Sequence, residues 1–195
     1  MEKNFLKILG CGGFARQVAT VYLDNNPNEN IIFVDENAKI GEKILGYDVV
    51  KICNEKVSSF VAFGDNEKRK IYNCNELNII SKTAFLGRKV MLGLGNFVGI
   101  HSIIECDNII GNGNIINTSS IISHECQIGD YCHISVNATI CGKTTLGNNI
   151  FVGAGATIID KINICDNVII GANSTVINDI TEPGFYVGCP VHKIN

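Results

Sequence analysis

A six-residue repeat runs from residue 80 to residue 176. Stepping by six from Ile80 to Val176 meets seventeen positions, and each of them is Ile, Leu or Val. Small residues stand four positions after many of these aliphatic residues, and glycine often follows them directly. Because residues two apart in a strand share a face, each small residue and the next aliphatic residue point inward together. The period predicts a parallel β-helix.

The repeat also predicts the shape of a coil. A short strand and a corner every six residues give three flat sides, so one coil takes about 18 residues and the repeat makes five to six coils. We expect the small residues inside the coil, and we expect the glycines where a tight corner demands a permissive backbone. The glycines are Gly87, Gly93, Gly99, Gly111, Gly129, Gly147, Gly153 and Gly171.

Residues 1–76 have a different pattern, which is typical of a small Rossmann-like α/β domain. A strand precedes a glycine loop and a helix, and two further strands and a last helix follow. The predicted elements are a strand at Leu6–Leu9, a helix through Tyr22, strands at Ile31–Val34 and Ser59–Phe63, and a helix at Glu67–Tyr72. The β-helix and its C-terminal tail form the second predicted domain, residues 77–195.

The glycine loop carries a possible nucleotide motif. Gly10, Gly12 and Ala15 satisfy the G-x-G-x-x-A pattern, and Asp35 follows near the distance at which an acid binds ribose. Taken literally, the motif indicates NAD, but a dinucleotide fold needs two mononucleotide halves and this domain has room for one. One half suits a nucleoside diphosphate. The alternative is that the glycines only allow close packing of helix and strand.

Composition excludes several other classes. The net charge of −3 does not favour nucleic acid or an anionic membrane as a partner. The N-terminus lacks the apolar run of a signal peptide, and no stretch approaches the length of a membrane span. Nine cysteines are scattered without a CxxC pair, which predicts reduced thiols in the cytoplasm and no metal site.

One histidine stands where acyl-transfer chemistry would need it. His124 falls on an outward corner, Glu125 follows it, and Gly142 lies eighteen residues on, in the same corner of the next coil. A base and a bare backbone N–H would then be stacked about 4.8 Å apart. The alternative is that His124 is a corner histidine without a catalytic role. His133 points outward from another side, so it would reach this site only from a neighbouring subunit.

The stretch Ile115–Asn137, IINTSSIISHECQIGDYCHISVN, resembles the bacterial nucleotide-sugar acetyltransferases of the sialic-acid and bacillosamine pathways. The similarity extends to GCGGFAR, FVDE, AFGDNEKRKIY and the terminal FYVGCPVHKI, and so covers nearly the whole chain. This resemblance implies a left-handed β-helix that forms a homotrimer. It also implies acetyl-CoA in the groove between subunits and a nucleotide-linked amino sugar on the N-terminal domain.

The resemblance further implies roles for individual residues. His124 would be the general base and Glu125 its polarising partner. The acetyl-CoA contacts would come from His133, Gly142, Ala154 and Ala172. The substrate contacts would come from Gly12, Gly13, Phe14, Asp35, Glu36 and Gly64. Relatives often carry histidine where this chain has Phe14, which puts that contact in doubt.

The expected reaction is acetyl transfer from acetyl-CoA to the 4-amino group of a UDP- or dTDP-linked amino deoxy-sugar. Three other functions stay open. They are O-acetylation of sialic acid or a related sugar, a zinc hydratase on the same scaffold, and a nucleotide sensor without catalysis. The zinc enzyme would need three histidines that converge on one metal, and the spacing of His101 and His124 does not match the 18-residue stack.

Overall fold

The computed structural model describes residues 5–72 and 77–194. A mixed α/β sheet domain comes first and a parallel β-solenoid follows, which confirms the predicted fold class and the order of the two parts. The predicted boundary after residue 76 falls at residues 73–76, outside the described part of the chain.

The N-terminal domain is a five-stranded sheet with two helices. Its strands are β1 (Phe5–Leu9), β2 (Asn30–Val34), β3 (Lys43–Ile44), β4 (Tyr47–Val50) and β5 (Ser59–Val61), and its helices are α1 (Gly13–Asn25) and α2 (Asn66–Tyr72). The predicted strands and helices are all present, within a few residues of their expected ends. Sequence analysis missed the β3–β4 hairpin, whose turn is Leu45 and Gly46, both at positive φ.

The strand order β3-β4-β2-β1-β5 places a crevice beside the glycine loop. From β1 the chain moves outward in one direction to β2, and it later returns to β5 on the other side of β1. In open α/β sheets, ligands bind at the carboxyl ends of the strands where the direction of winding reverses. Here that point lies between the loop after Leu9 and the loop after Val61.

The solenoid is built from very short strands that form three flat faces. Face 1 holds β7 (Phe85–Leu86), β10 (Ile103–Ile104), β13 (Ile121–Ile122), β16 (Thr139–Ile140), β19 (Thr157–Ile158) and β22 (Thr175–Val176). Face 2 holds β8 (Met91–Leu92), β11 (Ile109–Ile110), β14 (Gln127–Ile128), β17 (Thr145–Leu146) and β20 (Asn163–Ile164). Face 3 holds β6 (Ile79–Ile80), β9 (Phe97–Val98), β12 (Ile115–Ile116), β15 (His133–Ile134), β18 (Phe151–Val152) and β21 (Val168–Ile170).

Backbone hydrogen bonds hold each coil on the next with a constant offset. Ile103 pairs with Ile121, and Ile121 pairs with Thr139, so the register advances by eighteen residues per coil. The aliphatic residues of the repeat are buried from Val98 to Val176, and the small residues expected inside the coil, such as Ser120 and Ala138, are fully buried. Both predictions about the coil interior are confirmed. A hairpin of β23 (Gly184–Gly188) and β24 (Val191–Ile194) pairs with β21 and ends the sheet.

The reason we expected for the repeat glycines is wrong. None of the eight has a positive φ; the left-handed residues stand two positions later and include Lys89, Tyr131 and Asn173. The glycines are needed for another reason, because the next coil passes directly over them. A Cβ on Gly129 would lie 2.6 Å from the carbonyl oxygen of Gly147, closer than packed atoms approach.

The two parts of the chain share a hydrophobic contact. The outward side chains of Ile79, Phe97 and Ile115 on face 3 are buried against the core of the N-terminal domain. The Asn25 amide donates to the Ile80 carbonyl oxygen at 2.6 Å, and the Gln17 amide donates to the Thr118 hydroxyl at 2.7 Å. Face 3 therefore fixes where the crevice beside the glycine loop lies relative to the coils.

We predict that Gly129→Ala destabilises the protein, because its methyl group must displace the backbone of the next coil. Overpacking of this kind costs about 1–3 kcal/mol, which thermal unfolding would register as a lower midpoint. Gly64→Ala is the control, since a Cβ at Gly64 meets nothing within 4 Å. Equal melting temperatures for the two variants would contradict the stacking explanation.

Candidate active site

The edge between faces 1 and 2, here called the first edge, carries a histidine–glutamate pair. His124 Nδ1 lies 2.9 Å from Glu125 Oε2, and both side chains are about half exposed. A carboxylate can only accept, so Nδ1 carries a proton, and within the described residues Nε2 has no hydrogen-bond partner. Glu125 adopts φ 60°, and this left-handed corner turns its carboxylate back beside the imidazole.

Gly142 lies directly beneath the His124 ring, as the 18-residue offset predicts. A Cβ at Gly142 would lie 2.8 Å from His124 Cε1 and Nε2, so only glycine leaves the ring in place. Among the described residues the Gly142 N–H has no hydrogen-bond acceptor. The first edge thus holds a base and a bare amide one coil apart, which is the pairing that acyl transfer requires.

Lys143 belongs to the same cluster, and sequence analysis missed it. Its Nζ lies 3.6 Å from Glu125 Oε2, and its N–H donates to the His124 carbonyl oxygen at 2.9 Å. The signal was available, since Lys143 stands eighteen residues after Glu125. The Lys143 ammonium group therefore lies beside the same carboxylate oxygen that accepts the His124 Nδ1–H.

The edge between faces 3 and 1, the third edge, carries Ala154 and Ala172 in consecutive coils. The Asn173 N–H donates to the Ala154 carbonyl oxygen, which confirms that the two alanines are stacked. Both are exposed, and within the described residues neither N–H has an acceptor. The edge between faces 2 and 3 differs, because Asp130 and Asp166 accept the corner N–H groups of the preceding coils.

The glycine loop and the end of β2 lie side by side at the crevice. Gly12 and Gly13 are exposed, and Gly12 is the N-terminal cap of α1. The Cys11 thiol donates to Asp35 Oδ2 at 3.2 Å, and the Asn37 N–H donates to Asp35 Oδ1 at 2.9 Å. The Asn37 N–H holds the pKa of Asp35 below its usual value, so a carboxylate faces the crevice.

Phe14 and Glu36, both expected to contact the substrate, lie in different surroundings. The ring of Phe14 packs edge-on against Phe97, with centroids 5.1 Å apart, and so is directed at the contact with face 3. Only the backbone of Phe14 is left for a ligand. Glu36 is exposed at the crevice beside Asp35.

His133 is buried where the two parts of the chain meet. Asn117 Oδ1 accepts the Thr118 N–H at 2.8 Å, so the Asn117 amide nitrogen faces His133 Nε2, 3.1 Å away. Nε2 must therefore accept, and Nδ1–H donates to the Gly64 carbonyl oxygen at 3.3 Å. Burial, with the nearby Arg69 guanidinium, lowers the pKa of His133 to about 4. Both ring nitrogens are occupied within the chain.

Arg69 on α2 also reaches Gly64, and sequence analysis did not single it out. The guanidinium is buried, and its five N–H groups donate to oxygen atoms of the backbone and of one amide side chain. The acceptors are the carbonyl oxygens of Phe63, Gly64, Gly113, Tyr131 and Cys132 and the side-chain oxygen of Asn66. Burial lowers the pKa of Arg69 to about 10, so it stays charged at neutral pH.

Within one chain, His124 and the crevice beside the glycine loop lie far apart. The N-terminal domain covers face 3, whereas His124 lies on the first edge, between faces 1 and 2, on the opposite side of the triangle. The crevice with Asp35 and Gly64 thus lies on the side of face 3, away from the histidine of the same chain.

The described residues give little support for a metal site, a membrane-spanning helix or a cysteine nucleophile. Within 5–72 and 77–194, no three His, Cys, Asp or Glu side chains are grouped as metal ligands would be. Over the same residues no helix is long and apolar enough to cross a membrane. Cys126 is fully buried inside the coil, where burial raises the pKa of its thiol, so an acetyl-cysteine intermediate has no accessible nucleophile there.

Comparison with known proteins matches both parts of the chain. Residues 6–73 match the PglD N-terminal domain. GDP-perosamine N-acetyltransferase from Caulobacter crescentus is 25% identical, with a TM-score of 0.90 over 98% of this chain and 97% of its own. Residues 6–73 thus match the PglD N-terminal domain, and the whole chain is similar to a nucleotide-sugar N-acetyltransferase of known structure. These matches confirm the resemblance to the nucleotide-sugar N-acetyltransferases that was expected from the sequence.

More distant structures share the fold along their whole length. The acetyltransferase domain of PglB from Neisseria gonorrhoeae is 22% identical, with a TM-score of 0.90 over 98% of this chain and all of that domain. A partial relative is an uncharacterised protein of Acanthamoeba polyphaga mimivirus, 34% identical over 114 residues. That alignment covers 53% of this chain and 23% of the viral protein.

We predict that His133 makes the protein less stable in acid. Its pKa in the folded chain, about 4, lies below the ordinary value of 6.5, so the folded state binds fewer protons. The stability due to neutral His133 is complete above pH 6.5 and is lost as the pH falls toward 4, by about 3 kcal/mol in all. Denaturant unfolding between pH 7 and 4 measures this loss.

Two variants distinguish the pH dependence due to His133 from that due to other titrating groups. His133→Phe keeps a ring against Phe151 but cannot titrate, so its stability should depend less on pH across this window. His192→Phe changes an exposed histidine and should keep the wild-type dependence. The same slope in all three proteins would show that His133 is not the group responsible.

Proposed function

We propose that the protein transfers the acetyl group of acetyl-CoA to the 4-amino group of a UDP- or dTDP-linked amino deoxy-sugar. The observation that carries the proposal is the His124–Glu125 pair stacked over the bare amide of Gly142. A crevice typical of nucleotide binding lies in the same chain. Among the similar structures, the PglB domain is described with acetyl coenzyme A, and the perosamine enzyme with CoA and GDP-perosamine.

The proposed reaction is a direct transfer with His124 as general base. The neutral amine attacks the thioester carbonyl carbon and forms the new C–N bond, while His124 Nε2 accepts the amine proton. The Gly142 N–H donates to the oxygen that becomes negative. The C–S bond then breaks, and the imidazolium returns the proton to the coenzyme A thiolate. Glu125 stabilises the imidazolium that forms in between.

We propose a homotrimer because one chain cannot assemble the site. The crevice on the side of face 3 in one subunit would face the first edge of a neighbour, so that the neighbour's histidine meets the bound sugar. Acetyl-CoA would lie in the groove between them, along the exposed amides of Ala154 and Ala172. The substrate would contact Gly12, Gly13, Asp35, Glu36 and Gly64, together with the Phe14 backbone.

We predict that His124→Ala lowers kcat by about 10²–10⁴, the usual contribution of a general base. The side chain is half exposed, so the melting temperature should change little. His192→Ala is the control, since this exposed histidine lies on the C-terminal hairpin. The measurement is release of coenzyme A thiol with the wild type's preferred acceptor. A kcat near the wild-type value would contradict the assignment of the base.

We predict that the acceptor is an amine on a nucleotide sugar. The wild-type protein and acetyl-CoA are assayed for thiol release with UDP- and dTDP-linked 4-amino sugars, the same sugars with a 4-hydroxyl group, and free sialic acid. Turnover is expected only with the amines. Silence across the nucleotide sugars, together with turnover of sialic acid, would replace this proposal with O-acetylation.

A further inference from the structure

A buried arginine is an expensive way to join two parts of a chain. Removing an ion from water costs several kcal/mol, and the cost is recovered only when every N–H finds a partner. Arg69 meets that condition through six oxygen atoms, yet none of them belongs to a carboxylate. Its charge is therefore neutralised by backbone carbonyl dipoles, and those dipoles are fixed in direction.

The fixed direction matters most in the loop that follows β5. Arg69 Nη1 donates to the carbonyl oxygens of Phe63 and Gly64, at 3.1 and 3.0 Å. In a trans peptide the C=O and the next N–H point in opposite directions. Both carbonyl groups face the guanidinium, so the N–H groups of Gly64 and Asp65 must point away from it.

Those two N–H groups are available to a ligand. Within the described residues neither of them donates a hydrogen bond. Gly64 is exposed, and a Cβ built on it meets nothing within 4 Å. The carboxylate of Asp65 is turned to the start of α2, where it accepts the Lys68 N–H at 2.8 Å. Two donors therefore face open space side by side.

The two donors stand next to the glycine loop. Gly10 approaches this loop so closely that a Cβ on it would lie 3.0 Å from the Phe63 ring and 3.3 Å from the Ala62 carbonyl oxygen. The glycine loop follows β1 and the Gly64 loop follows β5, and the two strands are paired neighbours. A diphosphate lying along the glycine loop would meet the amides of Gly64 and Asp65 next.

We propose that Arg69 is a positioning residue, which orients the Gly64 and Asp65 amides as hydrogen-bond donors for the diphosphate of the nucleotide sugar. This inference rests on the nucleotide-binding part of the proposed function. Arg69 touches no reacting atom in it. It pulls the two carbonyl groups toward the coils, with His133 as a second donor to the Gly64 oxygen, and the opposite side of the loop becomes an oxygen-binding surface.

The test measures the affinity of UDP and dTDP by calorimetry for wild type and Arg69→Lys. Lysine keeps the charge but cannot hold two carbonyl groups in a planar fork. Losing the alignment of two hydrogen bonds should weaken nucleotide binding about tenfold or more. Acetyl-CoA affinity should stay within about twofold, which a general loss of structure would not allow. Arg88→Lys, at an exposed arginine, is the matched control and should bind like the wild type.

A second variant tests the loop without touching Arg69. Gly64→Ala adds a methyl group on the open side of the loop, so the melting temperature should be unchanged while UDP affinity falls about tenfold. Wild-type nucleotide affinity in either Arg69→Lys or Gly64→Ala would overturn the inference.

The outcomes also separate this inference from the proposed function. A wild-type protein that binds neither nucleotide would overturn the inference and the nucleotide-sugar part of the proposed function together. Arg69-dependent binding of UDP or dTDP without any release of coenzyme A thiol would overturn acetyl transfer alone, and the role of Arg69 would stand.

Discussion

The backbone ladder between coils is the constraint on which the rest of this structure depends. From residue 79 to residue 176 each coil pairs with the next at an offset of eighteen residues, and the glycines of the repeat let neighbouring coils pass at contact distance. This ladder places the His124 ring over Gly142, Lys143 over Glu125 and Ala172 over Ala154. The backbone spacing determines where the groups on each edge lie, and the identity of the corner side chains determines which functional groups they are.

The contact between the N-terminal domain and face 3 is the second determinant. It is apolar at its centre, where Phe97 and Ile115 are buried, and polar at its margin, where Gln17, His133 and Arg69 form hydrogen bonds. Because this contact lies opposite the first edge, the crevice and His124 of a single chain face apart. Association of chains would thus be part of the chemistry.

Much of the solenoid could be predicted from the sequence, because its period is local and strict. The interior residues, the stacking of His124 on Gly142 and the resemblance to nucleotide-sugar N-acetyltransferases all followed from residue spacing and motifs. The role of the glycines did not, since a close approach between coils leaves the same signature as a tight corner. The environments of His133 and Arg69 were also missed. Both depend on how two parts of the chain dock, and no periodic pattern encodes that contact.

The constant offset has a consequence for how such a protein can change over generations. Inserting or deleting one residue within a strand would shift every later side chain out of register, so length changes are tolerated only as loops that leave the corners. Separations along one edge can take only whole-coil values, in steps of about 4.8 Å. A new acceptor or a longer acyl group must therefore be accommodated by exchanging corner residues, or by moving the domain docked on face 3. The spacing between coils is thus fixed, and only the identity of the corner residues can change.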